Sequence, residues 1–113
     1  MMRTAPPLTL TREQASRVQG YIQTYRHYAF ASLAPSTARN GMLRSVQAIQ
    51  SKLVEVMDQQ TTPVLLVLTT VERTTLQVMT AELLALYGQE PASAERNATL
   101  GDLAALKATF ARC

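Results

Sequence analysis

The feature that most constrains this chain is that it repeats itself. Shifted by 57 positions, Ser36, Arg39, Asn40, Leu43 and Ala48 fall on Ser93, Arg96, Asn97, Leu100 and Ala105. The same shift carries Val46, Ile49 and Leu53 onto Leu103, Leu106 and Phe110, so the apolar rhythm repeats along with the identities. Upstream, a shift of 58 places Leu8, Leu10 and Thr11 on Leu66, Leu68 and Thr69, then Val18, Tyr21, Tyr25 and Tyr28 on Leu76, Met79, Leu83 and Leu86. One residue of loop length reconciles the two shifts. Residues 8–58 and 66–111 therefore read as diverged copies of one unit inside a single domain, 1–113, and a repeat of that length dictates the architecture.

Each unit reads as a helical hairpin. Thr11 has the position and chemistry of a helix cap, with Gln14 three residues on to complete a capping box. Apolar residues at 18, 22, 25, 29 and 33 then line one face at helical spacing, until Pro35 stops the helix near 34. Ser36 caps a second helix carrying Leu43, Val46, Ile49, Leu53 and Val56. Gly41 weakens it by about 1 kcal/mol relative to alanine, but its counterpart Ala98 favours helix at that site in both copies. A third helix is expected from Thr69 to Tyr87, ending at Gly88 through the left-handed backbone that glycine adopts freely. Ser93 caps the fourth, whose stripe is Leu100, Leu103, Leu106 and Phe110. Two such hairpins bury their apolar faces against each other, predicting an all-α four-helix bundle. Residues 64–68 follow Pro63 as a short aliphatic run and could pair with residues 8–10 in a two-stranded β-ribbon, held by packing because a lone ribbon is marginal.

Several chemistries are excluded. The 113 residues are 47% hydrophobic and 17% charged, enough apolar mass for a packed core without disulfides. The longest aliphatic run, Val64 to Leu68, falls far short of the roughly 20 residues that span a bilayer, and the opening residues lack the apolar stretch of a secretory signal. No membrane association and a cytoplasmic location are the expectation. The single cysteine, Cys113, permits no internal disulfide and reads as a solvated thiol. His27 is the only histidine, and Glu72, Glu82, Glu90 and Glu95 show no Glu-x-x-His pattern. Neither a bundle-type metal site, a Gly-rich phosphate loop nor a Ser/His/Asp constellation is present. The chain is expected to be no enzyme and to use no cofactor or metal.

What remains is contact chemistry. Net charge is +3, but residues 1–60 hold seven Arg/Lys against three Asp/Glu, whereas residues 61–113 hold four against five. Tyr21, Tyr25 and Tyr28 lie among Arg17, Arg26 and His27, a mixture that stacks on and neutralises nucleic acid. Their alignment with Met79, Leu83 and Leu86 gives the competing reading of tyrosine rings in the core, with hydroxyls at its wet edge. The Arg39-Asn40 and Arg96-Asn97 pairs are mediocre helix material placed at equivalent sites, which assigns them a hydrogen-bonding task. Either they hold the turn, or each arginine and its helix N-terminus receive an anion or a partner's carboxylate. The expected function is a non-catalytic protein-interaction or scaffold module with a protein partner or a second copy of itself. The alternative is a small basic accessory subunit of a nucleic-acid complex, contacting it through Arg17, Arg26 and His27.

Overall fold

The computed structural model describes residues 7–59 and 62–111. The expectations for the opening residues and for Cys113 fall outside them. The order of elements is β1 (Leu8–Leu10), α1 (Arg12–Ser32), α2 (Thr37–Asp58), β2 (Val64–Leu66), α3 (Thr70–Gly88) and α4 (Ala94–Ala111). The protein is all-α with a small antiparallel ribbon: α1 and α2 form one hairpin, α3 and α4 the other, and α3 touches both helices of the first.

Local chemistry fixes the helix starts. Thr11 Oγ1 accepts from Gln14 N at 3.0 Å while Gln14 Oε1 accepts from Thr11 N at 2.9 Å. Thr69 and Glu72 make the same reciprocal pair at 3.1 and 2.9 Å. Ser36 and Ser93 each accept from the backbone three residues on, Arg39 N and Arg96 N, at 3.0 Å. Each cap satisfies a backbone donor that the helix itself cannot, an effect of about 1 kcal/mol. Helix α2 runs unbroken through Gly41, around whose Cβ position nothing lies within 4 Å.

The end of α3 departs from expectation. Gly88 is its last helical residue, and no described glycine has positive φ. The helix tightens instead: Gln89 N donates to Leu86 O and Glu90 N to Tyr87 O, i→i−3 bonds that satisfy the terminal carbonyls without a left-handed residue.

The ribbon pairs Leu8 with Leu66, Thr9 with Leu65 and Leu10 with Val64. Side chains alternate across it, so Leu8, Leu10, Val64 and Leu66 are buried while Thr9 and Leu65 face out. β2 stops at Leu66, two residues short of the expected Leu68. In this register Val67 would face Pro7, which has no N–H to donate.

Both hairpins contribute to one hydrophobic cluster. It joins Val18, Ile22 and Tyr25 of α1, Val46, Ile49 and Leu53 of α2, Leu76, Met79 and Leu83 of α3, and Leu103, Leu106 and Phe110 of α4, with the buried ribbon residues at one end. Burial of each such large side chain is worth roughly 1.5–3 kcal/mol. Polar ties fix the hairpins relative to one another at the rim. Ser45 and Thr75 hydroxyls meet at 2.8 Å between α2 and α3. Lys52 Nζ donates to Glu72 Oε1 at 2.6 Å and to Val67 O at 3.1 Å. Arg17 pairs with Asp102 at 3.1 Å, and the Tyr21 hydroxyl donates to the same carboxylate at 2.6 Å, tying α1 to α4.

Candidate functional site

The two Arg-Asn pairs do the same thing in each hairpin. Arg39 Nη1 donates to Leu33 O at 3.3 Å, and its Nε and Nη2 donate to Asn40 Oδ1 at 3.4 and 3.2 Å. Arg96 Nη1 donates to Glu90 O at 3.1 Å and reaches Gly88 O at 3.5 Å, while Nη2 donates to Asn97 Oδ1 at 3.1 Å. In both cases an arginine at the start of one helix binds carbonyls at or just past the end of the preceding helix. The neighbouring asparagine holds the guanidinium in place. This geometry favours the turn-holding reading, with the residues' roles exchanged: the arginine, not the asparagine, bonds the turn backbone. A carboxylate or phosphate arriving at Arg39 or Arg96 would have to compete with these main-chain acceptors.

Arg17, Arg26 and His27 do not form one surface. Arg17 and Arg26 are nine positions apart, which on a helix puts them on opposite sides. Arg17 faces Asp102 of α4, whereas Arg26 Nη1 donates to Gln50 Oε1 of α2 at 2.7 Å. The tyrosines turn inward. Tyr25 is buried and hydrogen-bonds the Glu82 side chain, and Tyr21 and Tyr28 pack partly buried against the core. Burial, reinforced by carboxylate hydrogen bonds to Asp102 and Glu82, pushes the phenols of Tyr21 and Tyr25 above their usual range. They remain neutral hydrogen-bond donors in the physiological range.

Arg26 and His27 do line a groove, and it is the most site-like feature described. It lies between α1 and α2, has a volume of about 470 Å³, and is bounded by Gln23, Arg26, His27, Phe30, Leu43 and Gln47. Phe30 is 74% exposed. The Arg39 guanidinium carbon sits 5.3 Å from its ring centroid, a cation-π contact that marks the turn end of the groove. Leu43 supplies a second apolar wall that packs partly against the core.

The electrostatics of this region follow from composition. No Asp or Glu occurs between Glu13 and Glu55, whereas Arg17, Arg26, Arg39, Arg44 and Lys52 do. Arg17 and Lys52 are ion-paired with carboxylates of the second hairpin. Among the described residues, Arg26, Arg39 and Arg44 have no carboxylate within ion-pair distance, and Arg44 is exposed on α2 beside Leu43. Uncompensated positive charge is thus concentrated at the turn end of the first hairpin, where potentials of one sign focus in a concave surface. Phe30 and Arg44 were not singled out by motif reading. The signal that identifies them is the acid-free run from 14 to 54, visible only when charge is counted within a hairpin and not over half the chain.

A second, smaller hollow of about 230 Å³ lies between α2 and α3, bounded by Met42, Thr70, Val71, Thr74, Thr75 and Val78. It is apolar and uncharged. Among the described residues no three His, Cys, Asp or Glu side chains gather to hold a metal ion, and no helix is long and apolar enough to cross a membrane. No protein-family model matches the chain, and none of the curated proteins or solved structures compared with it does.

Proposed function

We propose that this protein is a non-catalytic interaction module that receives a protein partner in the groove between α1 and α2. The observation that carries this reading is Phe30, a large apolar side chain held out in solvent inside a concave, basic surface. Isolated exposed apolar residues are ordinary, but an aromatic seated in a groove with arginines beside it has the make-up of an interface anchor. The remaining groove groups, Gln23, Gln47, Arg26 and His27, hydrogen-bond and orient without supplying a nucleophile or a paired general base.

A nucleic-acid accessory role is the second reading, favoured by the juxtaposition of Phe30 with Arg26, His27 and Arg39. It is weakened by the inward turn of Tyr21, Tyr25 and Tyr28. Strand-binding surfaces stack successive bases on successive aromatics, and here Phe30 alone among the four aromatics of α1 is exposed.

The test compares the tagged protein with its Phe30→Ser variant, both purified from the native cell. A protein retained by the wild type, lost by the equally folded variant and rebound in a reconstitution from purified components supports the reading. Identical retention by both, or recovery of nucleic acid with no protein, overturns it.

A further inference from the structure

We infer that the α1/α2 groove is built for an acidic segment carrying one large apolar side chain. This rests on the interaction-module reading and commits it to a partner chemistry. Three features converge. The groove's floor is apolar where Phe30 and Leu43 oppose each other across the two helices. Its surroundings hold Arg26, Arg39 and Arg44, none of them ion-paired among the described residues. The 41-residue stretch that builds it contains no acidic residue to repel an incoming carboxylate.

Charge and shape divide the work. The arginines speed encounter and set orientation, because opposite charge steers association more than it tightens it. The apolar floor supplies the retained affinity, since a side chain seated between Phe30 and Leu43 leaves water on both faces. About 470 Å³ holds one or two large side chains, not a whole helix. The partner therefore contributes a single anchor, such as Leu, Ile or Phe, with Asp or Glu on the flanking turns, in the manner of an amphipathic segment laid on a helical surface. A basic or uncharged segment lacks the steering, and an acidic segment without an anchor lacks the seat. A single-stranded nucleic acid satisfies the charge but finds one exposed ring, already faced by Arg39.

Fluorescence anisotropy on the full chain tests this with defined probes. The first is a labelled peptide of about 15 residues made of Glu and Ala with one central Leu cluster. The second replaces every Leu by Ala, the third replaces every Glu by Gln, and the fourth is an oligothymidylate of similar length. The expected result is saturable binding of the first probe only. Phe30→Ala should weaken it at least about tenfold, as loss of an interface anchor does. The combined Arg26→Gln and Arg44→Gln variant should weaken it mainly through slower association, with the wild-type complex losing affinity between about 50 and about 300 mM salt. These side chains lie at the surface, and unchanged melting temperatures show that the variants fold.

Equal binding of the anchor-free peptide, or indifference to Phe30→Ala, overturns the inference by reducing the site to a diffuse positive field. Oligothymidylate binding as tight as the first peptide overturns it in favour of nucleic acid. If no probe binds while a protein partner is still lost with Phe30→Ser in the reconstitution above, the acidic chemistry falls and the interaction module stands. If both fail, both fall.

Discussion

Glu72→Gln separates two jobs that one carboxylate performs. Glu72 accepts from Thr69 N at 2.9 Å, completing the α3 capping box, and from Lys52 Nζ at 2.6 Å, tying α3 to α2. Glutamine keeps the first job, as Gln14 shows at the start of α1, where it accepts from Thr11 N at the same 2.9 Å. It removes the second. Breaking a fully buried ion pair costs about 3–5 kcal/mol, and an exposed pair contributes about 0–1. The Glu72 side chain is 10% exposed but that of Lys52 is 37% exposed, and Lys52 keeps Val67 O and solvent as partners. The loss should thus lie near the lower range, about 1–2 kcal/mol, or about 4–8 °C in melting temperature for a chain of this length.

The effect should depend on pH with a definite sign. Burial alone would raise the Glu72 carboxyl, but Lys52 and Thr69 outweigh it and hold the group below the usual carboxylate range. A group depressed in the folded state adds stability that is present above its unfolded value, near 4.3, and is lost as pH falls through its folded one. The gap between wild type and Glu72→Gln, read by thermal melting followed by circular dichroism, should be widest near neutrality and shrink below about pH 4. Glu72→Ala should cost about 1 kcal/mol more at all pH values through the lost cap bond. A Glu72→Gln protein as stable as wild type at neutral pH, or a gap unchanged in acid, would refute the reasoning.

Three further outcomes follow. Gly41→Ala should raise stability by about 0.5–1 kcal/mol in chemical denaturation, because the added methyl meets nothing within 4 Å in a helix interior. A loss instead would mean that α2 does not run through residue 41. Arg39→Ala and Arg96→Ala should each lower the melting temperature by the worth of a turn clamp, about 1 kcal/mol, and leave binding of inorganic phosphate, followed by calorimetry, as it was. Wild-type phosphate binding that either variant abolishes would restore the anion reading. Tyr21→Phe and Asp102→Asn should each cost about 0.5–1 kcal/mol yet combine sub-additively in a double-mutant cycle, since both break the same α1 to α4 hydrogen bond. Strict additivity would show that the two groups do not interact.

Much of the fold is legible in the sequence because capping is local. Thr11, Ser36, Thr69 and Ser93 announce helix starts within a residue, since each cap needs only its own neighbours three positions on. The apolar positions aligned by the proposed repeat, such as Leu53 with Phe110, are buried in both hairpins because a 3.6-residue period selects one face. The end of α3 was less legible: Gly88 permits a left-handed cap but does not require one, and tightening of the last turn served instead. The length of β2 depended on Pro7, a residue far away in sequence.

The candidate site was harder to read. Arg17, Arg26 and His27 look like neighbours in sequence, but helical rotation sends Arg17 toward Asp102, 85 positions on. The Arg-Asn pairs were found as a pattern, and only the geometry showed which member bonds the turn. Phe30 lies off the apolar stripe of α1, and a single off-stripe aromatic carries no periodic signal. Its meaning comes from Leu43 and Arg39, which only the hairpin turn brings alongside.

The most direct test is a nitrogen-15 NMR titration of the full chain with the acidic, leucine-bearing peptide. Binding in the groove predicts that amide shifts concentrate at residues 23–30 of α1 and 39–47 of α2, with α4 unchanged. Shifts centred on α3 or α4, or spread evenly over the molecule, would contradict it.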